Sequence, residues 1–132
     1  MTERPRIADY MATELVVLRP DMEINVAMAI LLEKRISGAP VVDTKGKIVG
    51  VLSKKDCLRA ALNCNYYQEW GGSVADYMAT DVETLEADME LVEAAECFLA
   101  SHFRRFPVLH NGRLAGQISR ADVLRGLTAN WR

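Results

Sequence analysis

Cysteine is scarce in this 132-residue chain: Cys57, Cys64 and Cys97 are an odd number without a C-x-x-C pair. That excludes a disulfide framework and offers no zinc spacing, so all three are expected as reduced thiols in or near a core. Four prolines and eight glycines are too few for a collagenous or low-complexity chain. With 50% hydrophobic and 26% charged residues it is not a disordered one. Long apolar runs are missing too: the longest, residues 26–32, has seven residues against the roughly 20 of a membrane-spanning helix. The start, Met1-Thr2-Glu3-Arg4-Pro5-Arg6, lacks the apolar core of a secretory signal, so a soluble cytoplasmic protein is expected.

Neither sign of charge dominates, with 16 basic and 18 acidic side chains, which gives no overall attraction to nucleic acid or acidic membranes. The distribution is uneven. Residues 1–66 carry ten Lys/Arg against eight Asp/Glu, and residues 67–132 carry six against ten. Nine acids and no base lie between Glu69 and Glu96, which reads as a solvated face.

The chain is one unit written twice. Ile7-Ala8-Asp9-Tyr10-Met11-Ala12-Thr13 matches Val74-Ala75-Asp76-Tyr77-Met78-Ala79-Thr80 at six of seven positions. Pro40-Val41-Val42 pairs with Pro107-Val108-Leu109, Gly50 with Gly116, and Ser53-Lys54-Lys55-Asp56 with Ser119-Arg120-Ala121-Asp122. The repeats divide the sequence into residues 1–66 (core about 7–62) and 67–132 (core about 74–129).

Each repeat reads as β-α-β-β-α. A short strand is predicted near Val16-Val17-Leu18 and over residues 82–85. Ile24, Ala27, Met28 and Leu31, like Leu91, Ala94, Ala95 and Phe98, follow the spacing of one apolar helix face. Two short strands come next, joined through Asp43-Thr44-Lys45-Gly46 and His110-Asn111-Gly112, and a second helix opens at Ser53 or Ser119. A unit of about 60 residues buries too little apolar area to stand comfortably alone, so the two should pack together. Residues 63–72, rich in Asn, Tyr and Gly, read as the linker.

Chemistry concentrates in Gly-x-φ-Ser-x-x-Asp, with φ apolar, which occurs over residues 50–56 and 116–122 where a strand runs into a helix. Serine at the N-cap with an acid three residues on is a capping box. The same geometry suits a nucleotide. Exposed N–H groups and the positive dipole end attract phosphate, while a carboxylate one turn further in repels phosphate and accepts from the hydroxyls of a ribose.

This repeated pattern, together with Ser37-Gly38-Ala39-Pro40-Val41-Val42-Asp43, resembles the tandem CBS (cystathionine-β-synthase) domain pair, the Bateman module. The resemblance implies an α/β (α+β) fold of two pseudo-twofold-related β-α-β-β-α units packed through their sheets. It also implies two clefts that bind AMP, ADP, ATP or S-adenosylmethionine as regulatory ligands. Carried over, one cleft would use Val51, Ser53 and Asp56 with Arg104 and Arg105; the other would use Ile118, Ser119 and Asp122 with Val16, Ser37 and Gly38. Arg104 and Arg105 suit phosphate oxygens, and Lys54 and Lys55 add charge, which favours a phosphorylated ligand at Asp56. Glu83 stands where the first strand usually carries an apolar pocket residue, which disfavours adenine there. His110 replaces the acid found at Asp43, and His102 precedes the arginine pair.

No Ser, Cys or His sits in a nucleophile pattern and no acids share a metal spacing in both halves, so neither catalysis nor a metal is expected. The basic side chains form no aromatic-interleaved patch for nucleic acid. The expected function is a regulatory module that senses an adenine nucleotide or adenosyl ligand and modulates a partner protein in trans. The resemblance further implies a homodimer. The alternative is a ligand-free dimerisation or interaction module in which the Ser-x-x-Asp segments only cap helices.

Overall fold

Both apolar stripes form helices that bury the expected face. A computed structural model describes residues 4–67 and 71–129. It contains α1 (Ile7–Tyr10), α2 (Ile24–Lys34), β1 (Gly38–Val42), β2 (Ile48–Ser53), α3 (Lys54–Tyr67) and α4 (Val74–Tyr77). There follow β3 (Leu85–Glu86), α5 (Leu91–Ala100), β4 (Arg105–His110), β5 (Arg113–Ser119) and α6 (Arg120–Thr128). Ile24, Ala27 and Leu31 of α2 and Leu91, Ala94 and Phe98 of α5 are buried, so the mixed α/β reading holds with its core faces in place.

The chain packs as two compact units: residues 16–82, and residues 83–132 together with residues 1–15. These differ from the two sequence repeats by an exchange of lead-in segments. In the 16–82 unit, β1 and β2 pair antiparallel, Leu18 bridges Val41 in parallel, and Ala79 bridges Val51. In the other unit, β3 runs parallel to β4, β4 pairs antiparallel with β5, and Ala12 bridges Gln117. The first predicted strand shrinks to a single bridge at Leu18 in one repeat and shifts to the two residues Leu85–Glu86 in the other.

The exchange follows from where the lead-in residues find apolar surface and backbone partners. Ile7 is fully buried among Leu91, Phe106, Val108, Ile118 and Val123, and its N–H donates to the Met89 carbonyl at 2.9 Å. Val74 is fully buried among Leu18, Ile24, Leu31 and Leu52, and its N–H donates to the Met22 carbonyl at 2.8 Å. Ile7 thus joins core residues 84–116 positions away and Val74 residues 22–56 positions away, at a loop-closure cost that grows only slowly with length.

The predicted linker needs one correction. Asn63 to Tyr67 continue α3, because neither proline nor glycine interrupts the helix before Gly71. Asn63 Nδ2 donates to the Tyr77 hydroxyl at 3.0 Å, so this end of α3 is anchored to α4. Residues 68–70, which include Trp70, lie outside the described residues.

Candidate functional site

Ser53 closes β2 and opens α3, where the first N–H groups of the helix lack carbonyl partners. The Ser53 N–H and hydroxyl both donate to Asp56 Oδ2, at 2.8 and 2.9 Å, and the Asp56 N–H donates to Ser53 Oγ at 3.2 Å. Asp56 is 7% exposed, the buried charged residue of the described chain. Its second oxygen, Oδ1, accepts from Arg59 Nη2, which also donates to the Tyr77 carbonyl of α4 at 3.3 Å. Burial pushes the neighbouring Cys57 thiol up from its ordinary value, with the Asp56 charge adding to the effect, so this cysteine is held as the neutral thiol.

The second copy differs in one contact. The Ser119 N–H donates to Asp122 Oδ2 at 2.9 Å and the Asp122 N–H to Ser119 Oγ at 3.2 Å. Arg125 Nη2 donates to Asp122 Oδ1 at 2.9 Å and to the Tyr10 carbonyl of α1 at 3.4 Å, with its guanidinium 6.0 Å from the Tyr10 ring centroid. A carboxylate offers about four acceptor positions. Among the described residues, three donors converge on Asp56 and two on Asp122, which leaves one unused position on each Asp122 oxygen. Sequence reading missed both arginines, although Asp-x-x-Arg recurs at Asp56/Arg59 and Asp122/Arg125 with the repeat's own offset.

In the 16–82 unit, Ser37 and Gly38 lie at the Ser53 junction. Gly38 is the register partner of Ser53, and the Ser37 carbonyl accepts from the Lys54 N–H at 2.9 Å. Val51 and Val16 are half-buried, and Lys54 and Lys55 are exposed. In the other unit, Arg105 is the register partner of Ser119, and Arg104 and Arg105 are both exposed. Ile118 corrects the expectation for its side chain. It is fully buried among Phe106, Val108 and Val123 and serves the core, because it occupies the position of Leu52. The equivalent of Val51 is the half-buried Gln117, which bridges Ala12 as Val51 bridges Ala79. Glu83, His102 and His110 are exposed, and the His102 ring stacks on Phe103 at 5.2 Å.

Both units also carry apolar helix faces. A cavity of about 500 Å³ between α5 and α6 is lined by Phe98, Leu99, Val123, Leu124 and Leu127. One of about 280 Å³ between α2 and α3 is lined by Met28, Leu32, Cys57 and Leu58. Leu32, Leu58, Leu99 and Leu124 are 62–88% exposed. Among the described residues, no helix is long and apolar enough to cross a membrane.

A duplicated α/β unit with Ser-x-x-Asp at each strand-to-helix junction defines a class of paired modules. The chain belongs to the CBS domain family, whose profile matches residues 7–63 and again residues 74–129. It is similar to the uncharacterized protein MJ1225 of Methanocaldococcus jannaschii (27% identity over 95% of this chain), of whose length it spans 44%. It is similar to an uncharacterized 17.7 kDa protein of Acidianus ambivalens (28% identity over 92% of this chain), of which it spans 73%. Among solved structures it resembles CBSX2, a CBS-pair protein of Arabidopsis thaliana, in complex with AMP. There the TM-score is 0.81 at 30% identity, covering 97% of this chain and 99% of the other.

Proposed function

We propose that the chain is a regulatory module that binds an adenine nucleotide or related adenosyl compound through its Ser-x-x-Asp segments, without turnover, and so modulates a partner protein in the cytoplasm. The observation that carries this reading is the unused acceptor capacity of Asp122 beside a helix start that presents N–H groups: a place for two ribose hydroxyls next to a place for phosphate. The likeness to an AMP complex makes AMP the first ligand to try. Val51, Ser53, Asp56, Ser119 and Asp122, with Val16, Ser37, Gly38, Arg104 and Arg105, are the residues proposed for ligand contact.

A second reading is favoured by the same hydrogen bonds: both acids complete capping boxes and ion pairs, so the segments can serve as structure alone. Thermal melting in AMP, ADP, ATP and S-adenosylmethionine separates the two. The regulatory reading expects one of them to stabilise the protein by about 2.7 kcal/mol at a hundredfold excess over Kd. Asp122→Ala should remove the part of that shift due to its own segment, and Asp56→Ala combined with Asp122→Ala should abolish it. If all four leave the melt unchanged and Asp56→Ala and Asp122→Ala merely lower it, the capping reading stands.

We further propose a homodimer, supported by the repeat's presenting matched leucine-bearing helix faces in both units, which a second copy can cover with its own. Sedimentation should show a dimer that Leu58→Glu combined with Leu124→Glu converts to monomer. A monomeric parent protein contradicts this.

A further inference from the structure

We infer that the two Ser-x-x-Asp segments are unequal partners, with Arg59 a displaceable latch that makes the Asp56 segment respond to ligand while the Asp122 segment holds ligand without rearranging. This rests on the reading that each acid accepts from ribose hydroxyls. Asp56 already accepts three donors, so a diol, which brings two, requires one to withdraw. The Ser53 N–H is fixed by the helix start, and the Ser53 hydroxyl is part-buried and would lose its acceptor. The Arg59 side chain is 55% exposed and returns to water at small cost. Its withdrawal also removes the hydrogen bond to the Tyr77 carbonyl, so ligand contact at Asp56 loosens α4 and the residues that follow it. Those residues are well placed to report. The Met78 N–H donates to the Val74 carbonyl, and Ala79 exchanges backbone hydrogen bonds of 2.9 Å with Val51.

At Asp122 the count differs: two donors leave room for both hydroxyls, so Arg125 keeps its bonds to Asp122 and to the Tyr10 carbonyl. The repeat therefore supplies its own control, with Met11 and Ala12 standing where Met78 and Ala79 stand in the other unit.

Amide hydrogen exchange with and without AMP, on the parent chain, Arg59→Met and Arg125→Met, tests the inference. In the parent chain, AMP should speed exchange at Met78 and Ala79 and leave Met11 and Ala12 unchanged. In Arg59→Met, Met78 and Ala79 should exchange fast before AMP is added and not respond to it, and calorimetry should show AMP bound about fivefold tighter at this segment, since a competitor worth an exposed ion pair is gone. A merely structural role for Arg59 would weaken binding instead. Arg125→Met should keep the Met78 response. AMP binding without a change at Met78 and Ala79, or weaker binding by Arg59→Met, overturns the latch. Unchanged exchange at those amides in ligand-free Arg59→Met overturns it whatever the ligand does. If AMP binds neither protein yet exchange rises in Arg59→Met, the tie to α4 is upheld and the ligand reading fails.

Discussion

Asp43, at the position that His110 takes in the second repeat, ties its turn together. Asp43 Oδ1 accepts from the Lys45 and Lys47 N–H groups at 2.9 and 3.0 Å, and the Arg19 guanidinium donates to the Asp43 carbonyl. The Lys47 backbone hydrogen bond, then the Lys45 one and the two lysine charges, outweigh desolvation and hold this carboxyl below its ordinary value. The sign follows from linkage: a carboxyl whose folded value is depressed lends stability that is present above its unfolded value and lost as pH falls through its folded one. Melting of the parent chain and Asp43→Asn between pH 7 and 3 should therefore show a gap that narrows on the acid side. A gap independent of pH would mean that the turn geometry, not the charge, matters.

Between elements, two equivalent glycines stand directly against bridging backbone. A Cβ at Gly50 would stand 2.5 Å from Met78 Sδ and 2.9 Å from the Ala79 carbonyl, and one at Gly116 would stand 2.7 Å from both Met11 Sδ and the Ala12 carbonyl. The methionines can shift, but the carbonyls belong to bridging backbone, so Gly50→Ala and Gly116→Ala should each cost about 1–3 kcal/mol in chemical denaturation. A neutral result would show that the segments after α1 and α4 pack loosely.

Most elements were legible because their signals are local. Helix stripes at Ile24/Ala27/Leu31 and Leu91/Ala94/Phe98, the turn residues, and Ser-x-x-Asp all declare themselves within a few positions. The unread parts are nonlocal. A four-residue helix such as α1 has a single turn and so no periodicity to detect, and nothing in Ile7-Ala8-Asp9-Tyr10 states which repeat's core Ile7 will enter. Ile118 comes to the site only through the family resemblance; an apolar residue beside Ser119 fits either role, and the strand's alternation in the finished sheet turns it inward. Arg59 and Arg125 stood in the sequence as ordinary helix-surface residues until their carbonyl partners on α4 and α1 appeared.

At the scale of the whole molecule, the exchange of lead-in segments means that neither repeat holds its own complete core. Residues 67–132 alone lack Ile7, Met11 and the Ala12 bridge to Gln117. Losing Ile7 alone is comparable to truncating a fully buried side chain, about 2–5 kcal/mol, a large share of a small domain's stability. That half-chain should therefore melt without a cooperative transition, whereas a chain in which residues 4–15 are joined after residue 132 by a flexible linker should regain one. A cooperative melt of residues 67–132 by themselves would contradict the packing described.

The central claim is that an acid of Ser-x-x-Asp grips a vicinal diol. Calorimetric titration with AMP and with 2′-deoxy-AMP, identical but for one hydroxyl, tests it most directly. Loss of a hydrogen bond to a carboxylate should weaken the deoxy compound about tenfold or more in the parent chain. Equal affinity for the two, or no binding of either, would contradict it.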